Sequence, residues 1–208
     1  MKKLLCSSVA GLLIAGALPA SAASTTDLAV KGFIVPSACT LSLSSGTIDV
    51  GRISVKDLNQ DTRTNLPPST LQVFTQCEGP SLFAMTATDN RSDSANNVVE
   101  FGLGTTTAGE RIGGYAMFLD QAIADETPVQ MIQSMTNGST WGRMWDDVGW
   151  QTNFLVSIKQ IGAASVPIPA KDMQVEMTVR PFINPAQNLT ISTDETIDGL
   201  ATITLRYL

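Results

Sequence analysis

The chain of 208 residues contains no histidine. That absence removes Ser-His-Asp and Cys-His catalytic pairings, together with every metal site that relies on imidazole. Charge is sparse, at 15% of residues, and its balance is acidic, with a formal net charge of −6. A pI near 4.5 leaves no basic surface of the kind that nucleic acid requires. Aromatics make up only 6% and cysteines number three. Long apolar runs are missing beyond the N-terminus, so no integral membrane segment is expected in the mature chain. The hydrophobic share, 43%, is ordinary for a globular protein and argues against wholesale disorder. These exclusions point to a protein that performs no reaction, binds no DNA or RNA, and needs neither cofactor nor metal.

The N-terminus sets the expected compartment. Met1-Lys2-Lys3 is a short basic region, Leu4 to Leu18 is mostly apolar and uncharged, and Ala20-Ser21-Ala22 supplies small residues for a signal peptidase. This pattern predicts a secretory signal peptide over residues 1–22, because the apolar run falls short of the ~18–20 residues a membrane span needs. Cys6 would be lost with it. Removal would leave 186 of the 208 residues and, without Lys2 and Lys3, a net charge of −8. Residues 23–208 are long enough to bury one core as a single domain, exported to the periplasm or beyond.

Cys39 and Cys77 then remain as an even pair in an oxidising compartment, and only one connectivity exists. Two free buried thiols are the alternative; a metal site would need further soft ligands, which are lacking. A bridge closing this 38-residue separation would stabilise the fold by about 4 kcal/mol through loop-closure entropy.

The rest reads as short strands separated by turn residues. Extended segments are expected at Leu28 to Val35, Leu41 to Leu43, Thr47 to Val50, Leu71 to Gln76, Leu82 to Thr88, Gly113 to Leu119, Val129 to Met135 and Trp150 to Ser157. The clearest period-2 signal is Met173 to Arg180, where Met173, Val175, Met177 and Val179 oppose Gln174, Glu176, Thr178 and Arg180. In the last segment, Leu200 to Leu208, Ala201, Ile203, Leu205 and Tyr207 share one face. No stretch carries a persuasive 3.6-residue apolar stripe. The pattern predicts an all-β sandwich.

The stretch "LAVKGFIVPSACTLSLSSGTIDVG" resembles the first strand of chaperone–usher fimbrial subunits. "LQVFTQC", ending at Cys77, is similar to the segment that carries the second pilin cysteine. "DGLATITLRYL" resembles the last pilin strand, with an aromatic in the penultimate position. "TATDNRSDSA" and "FGLGTTTAGERIGGYAM" resemble a fimbrial-like secreted family of unknown function, often found with such systems. The resemblance implies an immunoglobulin-like, pilin-type β-sandwich that lacks its seventh strand and is completed by a donor strand. It implies a periplasmic chaperone, an outer-membrane usher and neighbouring fimbrial subunits as partners. It also implies passage through the periplasm to a fimbrium that supports adhesion. Ala201, Ile203, Leu205 and Tyr207 would form the chaperone and donor-strand interface. The same residues also read simply as the core face of a final strand. Leu28, Val30, Gly32 and Ile34 would form the alternating face of an N-terminal donor segment. Two departures stand out: Glu195 occupies the position where pilins place a glycine, with Gly199 the nearest, and only Ala23 to Asp27 precede the first strand.

Other constellations are weaker. Trp141, Trp145 and Trp150 fall within ten residues of one another. Indoles stack on sugars, so a self-contained carbohydrate-binding, adhesin-like domain is the alternative reading; a hairpin capping the core is the plainer one. Asp89, Asn90 and Asp93 lack the glycine and glutamate of a calcium loop and read as a turn. Gly102, Gly104 and Gly109 lack a phosphate-binding lysine. Asn90, Asn137 and Asn188 match glycosylation sequons that carry no weight in a bacterial-type secreted chain.

Overall fold

The structure, a computed structural model, describes residues 28–30 and 38–208. The chain divides into two units, Met1–Ile34 and Val35–Leu208. Within the first, only Leu28 to Val30 are described; they form no strand, and Leu28 and Val30 are each 90% exposed. The expected signal peptide, and Gly32 and Ile34 of the expected donor face, lie outside the described residues.

The second unit is all β, as the alternation predicts. Its strands are β1 (Cys39–Leu43), β2 (Thr64–Asn65), β3 (Ser69–Ser81), β4 (Phe83–Asp89), β5 (Phe101–Gly102), β6 (Gly113–Ala124), β7 (Thr127–Ser134), β8 (Gly142–Arg143), β9 (Leu155–Gln160), β10 (Ala170–Ile183) and β11 (Ala201–Tyr207). Two short 3-10 turns, Val55–Asp57 and Ala186–Asn188, are the helical elements among the described residues.

The main path runs β1-β3-β10-β6-β7-β9-β4-β11, antiparallel at every step. One layer holds β1, β3, β10 and β6; the other holds β7, β9, β4 and β11. The layers are joined where β6 meets β7, at a two-residue hairpin pairing Ile123 with Pro128 and Ala124 with Thr127. Asp125 and Glu126 both take positive φ there, 46° and 64°, the tight-turn geometry that matches strand twist. The Asp125 carboxylate accepts from the backbone N–H groups of Lys171 and Asp172, which pins the hairpin to β10. The sheet therefore folds over on itself as a sandwich that nearly closes, with β1 and β11 at its two ends.

Between the layers, strand alternation decides burial. Leu71, Val73, Thr75 and Cys77 of β3 and Met173, Val175, Met177 and Val179 of β10 are all buried. They meet Phe83, Met85 and Ala87 of β4 and Val156 and Ile158 of β9 across the core. Burial of such side chains, at roughly 1.5–3 kcal/mol each, is the main term opposing chain entropy. Cys39 and Cys77 stand opposite each other in the β1–β3 register and form a disulfide.

Two expected strands fail for local reasons. Thr47 to Val50 is irregular because β1 leaves β3 at Ser44, whose N–H makes the last bond, to the Gln72 carbonyl. The chain then turns: the Asp49 carboxylate accepts from Gly51 N–H, and Gly51 sits at φ 72°, where a side chain would be strained. The Trp150 to Ser157 segment becomes a strand only at Leu155. Before it, Phe154 N–H reaches the Gln151 carbonyl and Asn153 adopts φ 64°, a tight loop.

Candidate functional site

The two end strands of the sandwich meet at a seam. β1 is laddered only to β3 and β11 only to β4, so each keeps one edge free of strand partners among the described residues. Successive antiparallel steps leave β1 and β11 antiparallel to each other. One bond crosses at their shared end: Cys39 N–H donates to the Tyr207 hydroxyl at 2.7 Å.

Ala201, Ile203 and Leu205 do point inward, as their alternation predicts, and pack against the core. Their burial is nonetheless incomplete. In the β4–β11 register Ile203 faces Ala87, Leu205 faces Met85 and Tyr207 faces Phe83. All three β4 residues are fully buried, whereas Ala201, Ile203 and Leu205 are half-buried and Tyr207 is 36% exposed. The difference is positional, since β4 has neighbours on both sides and β11 on one. On the opposite bank Leu41 is likewise half-buried, and Leu43 lies open. Beyond β1, Ile48, Ile53 and Leu58 also cover the core only in part. Arg52 reaches Asp194 at 2.9 Å, but both side chains are almost fully exposed, so that pair contributes little.

Sequence reasoning missed what positions β11. The connector from β10 to β11 is held by two carboxylate–threonine clamps. Glu110 accepts from the Thr190 N–H at 2.6 Å and the Thr190 hydroxyl at 2.7 Å. Glu195 accepts from the Thr107 N–H at 3.0 Å and the Thr107 hydroxyl at 2.7 Å. The Thr190 N–H, more than its hydroxyl, holds the Glu110 carboxyl below the usual carboxylate range, partly offset by desolvation. Arg91 adds an ion pair to Asp198 at 2.6 Å. At Gly199 an added Cβ would lie 2.8 Å from the Leu103 side chain and 3.0 Å from the Tyr115 ring, so the chain enters β11 through a close fit in which any side chain would force Leu103 and Tyr115 to shift. Beside it Tyr115 is buried, and burial first, then the Asp89 charge, pushes its phenol far up. The clamp partners are separated by 80 and 88 residues, which no local pattern reveals.

The three tryptophans do not form one surface. Trp150 is 0% exposed, its N–H bonded to the Met117 carbonyl and its indole N–H to the Phe154 carbonyl, so it belongs to the core. This removes Trp150 from the alternative reading of a shared ligand surface and fits the plainer one, an indole that covers the core. Trp141 is half-buried and its indole N–H returns to the Gly138 carbonyl. Trp145 alone is open, 55% exposed, with the Arg143 guanidinium 4.1 Å from its ring centre. The Asp89 oxygens are taken by Arg91 and Gly102 N–H groups, and Asn90 bonds Thr202, so this stretch is a turn. The Gly102–Gly109 region closes a small hairpin through the Thr105–Arg111 bridge.

Comparison with known proteins places residues 28–100 in a match to the family described as "Protein of unknown function (DUF1120)". That span includes both cysteines of the disulfide and β1 to β4. Over 254 aligned positions the chain is 25% identical to Protein GltF of Escherichia coli K12, covering 100% of this chain and 98% of that protein. It is 30% identical over 137 positions to the uncharacterized protein YhcF of the same organism, covering 52% of this chain and 58% of that one.

Proposed function

We propose that this chain is an exported, non-enzymatic subunit of a surface fibre of the fimbrial type, and that it takes a β-strand from a partner into the seam between β1 and β11. The observation that carries this reading is the contrast along one register: the inward face of β11 stays partly exposed while the β4 residues beside it are sealed. An apolar face next to two unpaired strand edges is an aggregation hazard unless another strand covers it. Strand addition satisfies both deficits, with ladder bonds giving affinity and alternate side chains giving register. In this reading a periplasmic chaperone covers the seam first. The N-terminal segment of a neighbouring subunit then replaces it at an outer-membrane usher. Leu28 and Val30, exposed here, begin the corresponding segment of this chain.

The test is thermal unfolding and limited proteolysis of the secreted chain in three states: alone, with a synthetic peptide of residues 28–36, and co-expressed with a fimbrial chaperone. A higher Tm and slower cleavage with peptide or chaperone are expected. A chain equally stable and protease-resistant in all three states would overturn the proposal.

A further inference from the structure

A second feature lies on the outer face of the layer formed by β3, β10 and β6, and it stands independently of the seam. A hollow of about 300 Å³ is walled by Gln72, Gln121, Gln174 and Glu176, with Ile123 and Pro128 supplying apolar surface. Its origin is a β-bulge. Between Gln174 and Glu176 the β10 strand advances two residues while β6 runs from Ile123 to Asp120, so Gln121 and Ala122 share one position. Gln121 occupies the bulge with φ 50°. That left-handed conformation is the one for which this type of bulge ordinarily takes glycine. A side chain there carries a conformational penalty that glycine would not. The fold itself is thus better served by glycine, which directs attention to what the carboxamide does.

The groups around the hollow are set for hydroxyls. Gln174 Nε2 donates to Gln72 Oε1 at 3.2 Å, which fixes both amides and leaves a Gln72 amide group and a Gln174 carbonyl free to face a ligand. The Gln121 carboxamide and the Glu176 carboxylate have no side-chain partner among the described residues. Each carboxamide offers donor and acceptor in one plane, which matches neighbouring sugar hydroxyls, and the apolar wall suits the C–H face of a pyranose ring. No cation lines the hollow and Glu176 would repel anions. We infer that this hollow is a binding site for a neutral saccharide, with the Gln121 carboxamide, set at the left-handed bulge position, as one of its contacts.

The test is heteronuclear NMR of the full secreted chain titrated with lactose, cellobiose and diacetylchitobiose, and with sialyllactose as the anionic counterpart. Saturable shifts of the Gln72, Gln121 and Gln174 amides with at least one neutral disaccharide, and weaker ones with sialyllactose, are expected. Gln121→Gly should weaken that binding by roughly tenfold or more, about 1.4 kcal/mol, while Tm stays level or rises. Absence of saturable shifts with every neutral probe would overturn the inference. So would shifts confined to Trp145, or a Gln121→Gly variant that binds as well as the original chain or loses stability.

Discussion

Leu205→Ala offers the sharpest test of the seam, because its cost should depend on whether a strand is present. The substitution deletes three carbons, worth about 2.4 kcal/mol at ~0.8 per buried CH2 if the site is sealed. Leu205 is largely but not fully buried in the chain described here, so its loss should cost somewhat less, roughly 1.5–2.2 kcal/mol. Once a donated strand covers the seam the full transfer value applies, with a cavity contribution besides. Met85, its register partner on β4, is 1% exposed in the chain alone and provides the control. Met85→Ala should cost roughly 2–5 kcal/mol whether or not a strand is bound. The assay is urea unfolding of each variant with and without saturating peptide of residues 28–36, comparing midpoints at constant slope. An equal cost for Leu205→Ala in both conditions would refute the reasoning, since it would mean that the peptide leaves the seam uncovered.

Replacing both Cys39 and Cys77 with serine should lower stability by about 4 kcal/mol, the loop-closure value, seen as a fall in the urea midpoint that reductant reproduces in the original chain. The depressed Glu110 carboxyl contributes stability that is fully present above its ordinary value of 4.5 and is lost as pH falls through its lower folded value. Glu110→Gln should therefore flatten the acid limb of a midpoint-versus-pH curve, and an unchanged limb would discount the clamp. Trp150→Ala should destabilise by roughly 3–5 kcal/mol as a core truncation, while exposed Trp145→Ala should change thermal stability little.

Where the sequence could be read, its signal was short-range and periodic. The alternation of Met173 to Arg180 survives as β10, and that of Ala201 to Tyr207 survives as β11, because strand geometry is a two-residue repeat. β10 nevertheless runs on to Ile183 through Pro181, beyond the segment that the alternation marked. Thr47 to Val50 carries similar residues yet stays irregular, since the Asp49–Gly51 turn takes the chain out of reach of β3. Clustering in sequence could not separate the tryptophans: ten residues hold all three, but a loop turns Trp150 into the core, as the plainer reading has it, and Trp145 outward. Gln121 lies past the Gly113 to Leu119 segment that the sequence marked, and nothing there announces its bulge, for a bulge is a property of the register between strands and has no period of its own.

The placement of β11 supports strand addition for a reason beyond its exposed face. At its start the strand is fixed by the Arg91–Asp198 pair, the Glu195–Thr107 clamp and the close fit at Gly199. At its end Tyr207 accepts from Cys39 N–H and Leu208 N–H donates to the Leu82 carbonyl. Between those anchors β4 is its one ladder partner among the described residues, with side-chain bonds from Asn90 to Thr202 and from Arg206 to Asn137 besides. A strand tied at both ends keeps its free edge straight and in place, so an incoming strand would not have to order the acceptor as well as itself. That saving in conformational entropy is what favours a preformed edge over a flexible one. The same argument explains why the clamps are built from residues of the β5–β6 turn and the β10–β11 connector: they hold β11 without occupying the edge that the partner strand would use.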